Sequence, residues 1–241
     1  MNLANGERTA SALGSIEAYG AEVGEHLRLL GVNVNFAPVV DILSNPDNTA
    51  IGDRCFGVDA ETVSVRAGAF MAGMQSQQVA GCLKHFPGQG HAAVDTHLGS
   101  AVVDLSEDAL VMRELRPFVD LLADAPMVMI AHAIYPAFDD VPASCSEKVM
   151  QGLLRQRLGF QGVVVSDDMN MHAIPQDRKS WTDAIITAIA AGADLVLVCR
   201  HLERCRWAFE AIEQEAAKSS AFKARLEEAA SRVLGLRRTL A

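Results

Sequence analysis

Apolar positions along this chain follow two alternating patterns: stripes that recur every three to four residues, and short unbroken runs. The stripes predict helices and the runs predict buried strands. Ile16, Val23, Leu27 and Leu30 share one face of a first helix, expected from about Ser15 to Leu30, with Gly31 as its stop. Val32 to Pro38 then reads as a strand. A second helix starts after Asp59, a good N-cap, and reaches about Gln77, and Val79 to His85 is the next strand. Met127 to Ala133, Gly162 to Ser166 and Asp194 to Cys199 are three more apolar runs. Between them Pro117 suits the first turn of a helix, Ser146 and Ser180 suit N-caps, and Gly159 and Gly192 suit C-terminal stops. A helix near Glu203–Ala217 and a last one near Phe222–Leu240 close the pattern, the latter carrying the stripe Phe222, Leu226, Ala229, Val233 and Leu236.

Strands that are apolar throughout, rather than alternating, are covered on both faces, which is the sign of a parallel sheet. A (β/α) barrel and a doubly wound open sheet both satisfy this. Polar residues cluster directly after successive strands: Asp41, Lys84-His85, His132 and Ser166-Asp167-Asp168. In a barrel such strand ends converge on one pocket, whereas an open sheet shares a site only near its switch point. No G-x-G-x-x-G follows any strand. The expectation is therefore an α/β fold with a TIM-type (β/α) barrel, a single domain over residues 1–241.

Composition narrows the function. Half of the 241 residues are apolar, enough for one sizeable core. A formal net charge of -9 argues against nucleic acid and against an anionic membrane surface as partners. The five cysteines are irregularly spaced without a C-x-x-C, which predicts free thiols in a reducing compartment. No apolar run reaches the roughly 18 residues of a membrane span, and the first residues lack a signal-like apolar stretch. A cytoplasmic protein is expected.

Two segments carry the candidate chemistry. Asp167 ends the run Val163-Val164-Val165-Ser166, at a strand mouth, where a carboxylate could attack an anomeric carbon. Neighbouring strand residues point to opposite sides, so Asp168 is expected to be a turn acid instead. The segment from Lys84-His85 through Pro87-Gly88-Gln89-Gly90 to Asp95-Thr96-His97 ends a strand, turns sharply, and sets Asp95 and His97 at i, i+2. An aspartate beside a histidine fixes its tautomer and supports proton transfer near neutral pH; the competing reading is a solvated polar loop. Arg54, in a long loop over the mouth, could hold sugar hydroxyls or pair with Asp53 or Asp59. His132 could contact substrate or be a core histidine with a local partner. Met169 and Met171 read as packing. His85, His91 and His97 are six apart, but no H-x-x-x-H or H-E-x-x-H is present, so no metal is expected. Lys84 also leaves open a Schiff-base lyase.

Taken together, Gly31-Val32-Asn33-Val34-Asn35-Phe36-Ala37-Pro38-Val39-Val40-Asp41, Ile51-Gly52-Asp53-Arg54, Lys84-His85-Phe86-Pro87-Gly88, Asp95-Thr96-His97, Ala131-His132-Ala133-Ile134-Tyr135-Pro136 and Leu158 to Met169 resemble glycoside hydrolase family 3. The Asp-x-His loop is similar to that of its bacterial β-N-acetylglucosaminidase branch. The resemblance implies a retaining exo-β-N-acetylglucosaminidase with no cofactor. Asp167 would be the nucleophile and His97 the acid/base, oriented by Asp95. Arg54, Lys84 and His85 would grip the sugar. The implied substrate is a terminal β-linked N-acetylglucosamine on cell-wall muropeptides, in peptidoglycan recycling.

Three positions depart from the family: Gln89 stands where a histidine is usual, His91 stands at a variable position, and the residues before Ser15 lack the first barrel strands with their Asp-Gln-Glu-Gly-Gly segment. About five strands are readable, whereas a closed barrel has eight. Uncovered strand edges invite pairing, so a homo-oligomer covering them is one expectation. A catalytically impaired sugar-binding or assembly relative is the alternative to the enzyme.

Overall fold

A computed structural model describes residues 3–92, 99 and 101–240. Helix α1 spans Leu3–Leu29 and α2 spans Ala60–Ser76. Strand β1 is Cys82–Phe86. A short helix α3, Glu107–Ala109, runs through a π-helical turn, Leu110–Glu114, into α4, Arg116–Leu121. Strand β2, Met127–Ile130, is followed by a π-helix, Lys148–Arg157, and strand β3, Val163–Asp168. Helix α5 spans Arg178–Ala191, strand β4 spans Leu195–Leu197, and helices α6, Leu202–Lys218, and α7, Ser220–Thr239, complete the order.

The four strands form one parallel sheet in the order β1-β2-β3-β4, so spatial order equals chain order. This is part of a (β/α) barrel wall. The expected first strand is present only as an irregular edge. Residues 33–40 run parallel to β1 through the bridges Val34↔Ala80 and Val39↔Lys84. Their amides and carbonyls exchange bonds with it, including Cys82 N–H to Ala37 O at 2.7 Å and Val40 N–H to Lys84 O at 2.7 Å. Pro38 has no N–H, so the ladder is broken where a regular strand would continue it.

The two faces of the sheet are buried differently. Leu83, Val128, Ile130 and Val164 point into the large core shared with the helices, where Trp181, Phe118 and Tyr135 are fully covered. Cys82, Met127 and Val163 lie in register on the other face, and with Met129 and Val165 they form a separate cluster. Val233 and Leu236 of α7 pack on that cluster, which accounts for two of the five stripe residues seen in the sequence. Phe222 and Leu226 of the same helix join the larger core, and Ala229 is buried as well.

Most helix punctuation follows local chemistry. Asp59 accepts from the Thr62 amide and caps α2. Ser146 Oγ accepts from Val149 N–H at 3.1 Å. Gly31, Gly159 and Gly192 have φ of 77°, 74° and 132°, values that a glycine adopts without Cβ conflict. Two boundaries differ from expectation. Helix α1 begins at Leu3, well before its apolar stripe, because Ala4, Glu7, Arg8 and Leu13 are all good helix formers. Helix α5 is capped by Asp177, not Ser180: the Asp177 carboxylate accepts from Ser180 N–H at 3.0 Å, so Ser180 sits one turn inside.

All five cysteines are free. Among the described residues, no helix is long and apolar enough to cross a membrane.

Candidate active site

The C-terminal ends of the strands gather the polar residues. On β3, Val163, Val165 and Asp167 share the inner face by the period of two. Asp167 is 17% exposed, and His85 Nε2 lies 3.9 Å from its Oδ2. Among the described residues, its carboxylate accepts one hydrogen bond, from the Asp168 amide to Oδ1 at 2.8 Å. Burial pushes the Asp167 carboxyl up, but His85, His132, the Asp168 amide and Lys84 outweigh it, and the group is held below the ordinary carboxylate range. Asp167 is thus an ionised, lightly hydrogen-bonded carboxylate at a strand mouth.

Asp168 points elsewhere. Its Oδ1 accepts from the Asn170 amide, Asn170 Nδ2 and the Cys199 amide, so it ties the loop after β3 to the loop after β4. It is a turn acid, as its position next to Asp167 requires.

His85 is held from behind by Asp41. The fully buried Asp41 carboxylate accepts from His85 Nδ1 at 2.7 Å, from the His85 amide at 3.2 Å and from the Gln89 amide at 2.7 Å. Nδ1 therefore carries the proton, and Nε2 is the nitrogen turned to Asp167. Asp41 was legible only as a polar residue after a run. Its role depends on a contact with a residue 44 positions away, which no local pattern encodes.

Lys84 is half-buried. Burial pushes its ammonium down, opposed by the Asp167 charge and reinforced by Arg54. Arg54 lies in the exposed 3-10 turn Gly52–Arg54, donates to the Ala50 carbonyl, and is near enough for its charge to act on Lys84. Arg54, Lys84, His85 and Asp167 thus border one region.

His132 lies behind that region. Its Nδ1 is 2.7 Å from Ser144 Oγ and its Nε2 is 3.1 Å from the Asp168 carbonyl, and the residue is 1% exposed. A carbonyl only accepts, so Nε2 carries the proton and Ser144 donates to Nδ1. Burial holds the imidazole below its usual value, against the Asp167 charge, consistent with this neutral tautomer. Both ring nitrogens are engaged by protein, so His132 is the core histidine of the two alternatives, supporting the backbone beside Asp167. Met169 and Met171 are buried in packing.

The turn after β1 is tightly strapped. A Cβ at Gly90 would collide with the Ile42 carbonyl, so only glycine fits there. Asn48 Nδ2 donates to Gln89 O at 2.8 Å, Asn45 Nδ2 to Ala92 O at 3.3 Å, and Tyr135 Oη to Gly88 O at 3.0 Å. The long connection between residues 39 and 58 is therefore the scaffold of this turn. Asp95 and His97 follow it in sequence and lie outside the described residues. Among the described residues, no three His, Cys, Asp or Glu side chains are grouped as metal ligands.

Comparison with known proteins adds a second line. The profile of the glycosyl hydrolase family 3 N-terminal domain matches residues 2–236. A β-hexosaminidase of Hydrogenovibrio crunogenus is 41% identical over 174 residues, covering 72% of this chain and 48% of that one. A β-hexosaminidase of Stenotrophomonas maltophilia is 37% identical over 211 residues, covering 87% and 62%. The structure of a family 3 β-N-acetylglucosaminidase from Paenibacillus superposes with a TM-score of 0.89 at 36% identity, over 95% of this chain and 45% of that one. The chain spans 32% to 62% of the length of the first curated relatives it matches.

Proposed function

This chain belongs to glycosyl hydrolase family 3, and from that premise we propose that it serves a retaining exo-β-N-acetylglucosaminidase with Asp167 as nucleophile. The observation that carries the reading is the state of Asp167: ionised, at a strand mouth, beside Lys84 and His85, and with one hydrogen bond to its carboxylate among the described residues.

An Asp167 oxygen attacks the anomeric carbon while the bond from that carbon to the leaving oxygen breaks. His97, oriented by Asp95, gives its proton to the leaving oxygen. Water then attacks the glycosyl-aspartate, returns a proton to His97, and frees both the sugar and the Asp167 carboxylate. Lys84, Arg54 and His85 hold sugar hydroxyls around this centre. Asp41 keeps His85 in one tautomer, and His132 fixes the backbone beside the nucleophile. The β-hexosaminidase relatives support N-acetylhexosamine as the sugar. The muropeptide aglycone, a role in peptidoglycan recycling and a cytoplasmic site of action are the reading that the family resemblance favours.

The test is hydrolysis of a nitrophenyl β-N-acetylglucosaminide by the chain and by Asp167→Ala, with calorimetry on N-acetylglucosamine using the same samples. Turnover that Asp167→Ala removes supports the proposal. Binding without turnover selects a sugar-binding protein instead, and turnover that survives Asp167→Ala rejects Asp167 as nucleophile.

A further inference from the structure

One cleft at the strand mouths has no part in the mechanism above. It lies between the loop that follows β3 and the loop that follows β4, holds about 380 Å³, and has Asp168 at its strand end. Asp168 is the neighbour of the nucleophile, and the Cys199 amide donates to its Oδ1 at 3.2 Å. Burial raises the Cys199 thiol, and the charges of Asp168 and Asp167 raise it further, so both acids act on the loop that carries Arg200. The cleft therefore opens beside Asp167.

Its walls are braced and its cations are not. Asn170 Oδ1 and Gln176 Oε1 accept from Arg204 Nη1 at 3.1 and 3.0 Å, and Gln176 Nε2 donates to the Met171 carbonyl at 3.0 Å. Arg204 is fixed in turn over the buried Trp181 ring, 5.4 Å from its centroid. Asp168 Oδ1 accepts from the Asn170 amide and from Asn170 Nδ2 at 3.0 Å each. Asp168, Asn170 and Gln176 are thus tied to their own neighbours. Arg200, His201 and His172 are exposed and border the same cleft. Among the described residues, their side chains make no hydrogen bond or ion pair. In a chain of formal net charge -9, an arginine and two histidines left unpaired around one hollow are not part of a generally basic surface.

A retaining glycosidase expels its leaving group from the face opposite the nucleophile. With the sugar on Asp167, the aglycone leaves outward, over the loops that follow the strands. A guanidinium offers paired N–H donors in the fork that fits a carboxylate, and each imidazole beside it adds a donor. We propose that this cleft is an aglycone subsite that selects a leaving group bearing a carboxylate, with Arg200 as the specificity-determining residue and His172 and His201 assisting. The assignment rests on the hydrolase reading and adds to it the charge of the leaving group.

The test compares phenyl β-N-acetylglucosaminide with the same glycoside carrying a ring carboxylate, attached directly or on a two-carbon arm. The quantity read is kcat/KM for each carboxylated substrate divided by that for the neutral one. Comparing this ratio between variants cancels the difference in leaving-group acidity. Arg200→Ala should lower the ratio about 10-fold for at least one carboxylated substrate, mainly through KM, the scale of one charge-assisted hydrogen bond. Arg200→Lys should restore part of the loss, because the charge returns without the fork. Arg200→Glu should lower the ratio further, and His172→Ala and His201→Ala should each lower it about twofold. Salt at about 0.5 M should weaken the preference of the unmodified chain and leave the Arg200→Ala ratio steady. Arg200 is exposed, so these variants probe binding rather than folding. Ratios that Arg200→Ala leaves unmoved, or equal losses on all three substrates, would overturn the inference. Arg200-dependent acceleration by inorganic phosphate would assign the cleft to a free anion and overturn it too. An unmodified chain that cleaves the neutral glycoside while those ratios stay unmoved sinks this subsite alone, and one that cleaves none of the three sinks the hydrolase reading with it.

Discussion

The two ends of the sheet use the same ingredients for opposite purposes. At the N-terminal end, before β4, the Asp194 side chain is fully buried and saturated. Its Oδ2 takes Arg155 at 2.7 Å and the Val164 amide at 2.9 Å, and its Oδ1 takes Arg225 at 2.5 Å and Arg232 at 3.3 Å. Three helical arginines are thereby clamped to the strand ends. At the C-terminal end Asp167 has Lys84 and two histidines around it, but the His85 nitrogen stands 3.9 Å away and, among the described residues, its carboxylate accepts from one backbone amide. A carboxylate with every lone pair engaged is a joint. One surrounded by charge but sparsely bonded is available for chemistry. The tied Asp194 and the proposed nucleophile Asp167 would then follow the polarity of a (β/α) barrel, stability below and reaction above.

Substitutions can break that contrast or sharpen it. Asp167→Ala should cost the most activity, about 10⁴- to 10⁶-fold in kcat, while urea unfolding remains cooperative. A variant that unfolded instead would make Asp167 another joint. Asp194→Ala should do the reverse, removing about 3–5 kcal/mol of stability in urea titrations because three arginines lose their buried partner. Retention of full stability would show the clamp to be ornamental. Asp41→Asn should lower kcat/KM roughly 10- to 100-fold, since His85 loses a charge-assisted hydrogen bond and its fixed tautomer.

The smallest effect concerns pH. Burial holds His132 below 6.5 in the folded chain, so the unfolded chain binds the proton more readily. Stability should therefore fall as pH drops through 6.5 towards the lower folded value, and be regained on returning to neutrality. His132→Gln should flatten that part of the profile in thermal melts taken across the window. An unchanged slope would mean that other groups dominate it.

Much of this architecture was legible from the residues because buried parallel strands leave short apolar runs and helices leave stripes. Cys82–Phe86, Met127–Ile130 and Val163–Asp168 all fall on such runs. The edge at residues 33–40 was legible as apolar chain but not as broken pairing, which depends on the missing donor of Pro38. The cap of α5 was misplaced because Asp177 and Ser180 are both good caps, and the sequence alone does not rank them. In the site, Asp167 and His85 announced themselves at strand ends. Asp41 did not, because its meaning lies in a partner 44 positions away. Asp95 and His97 rest on sequence and family resemblance, outside the described residues.

The identity of spatial and chain order has a consequence for biosynthesis. Each strand lies beside the one made just before it, so successive units can dock as the ribosome releases them, without waiting for distant partners. The exception is the last helix, whose Arg225 and Arg232 reach back to Asp194. Nascent chains halted before residue 225 would carry that aspartate with one arginine rather than three, so the base locks only once α7 has been made.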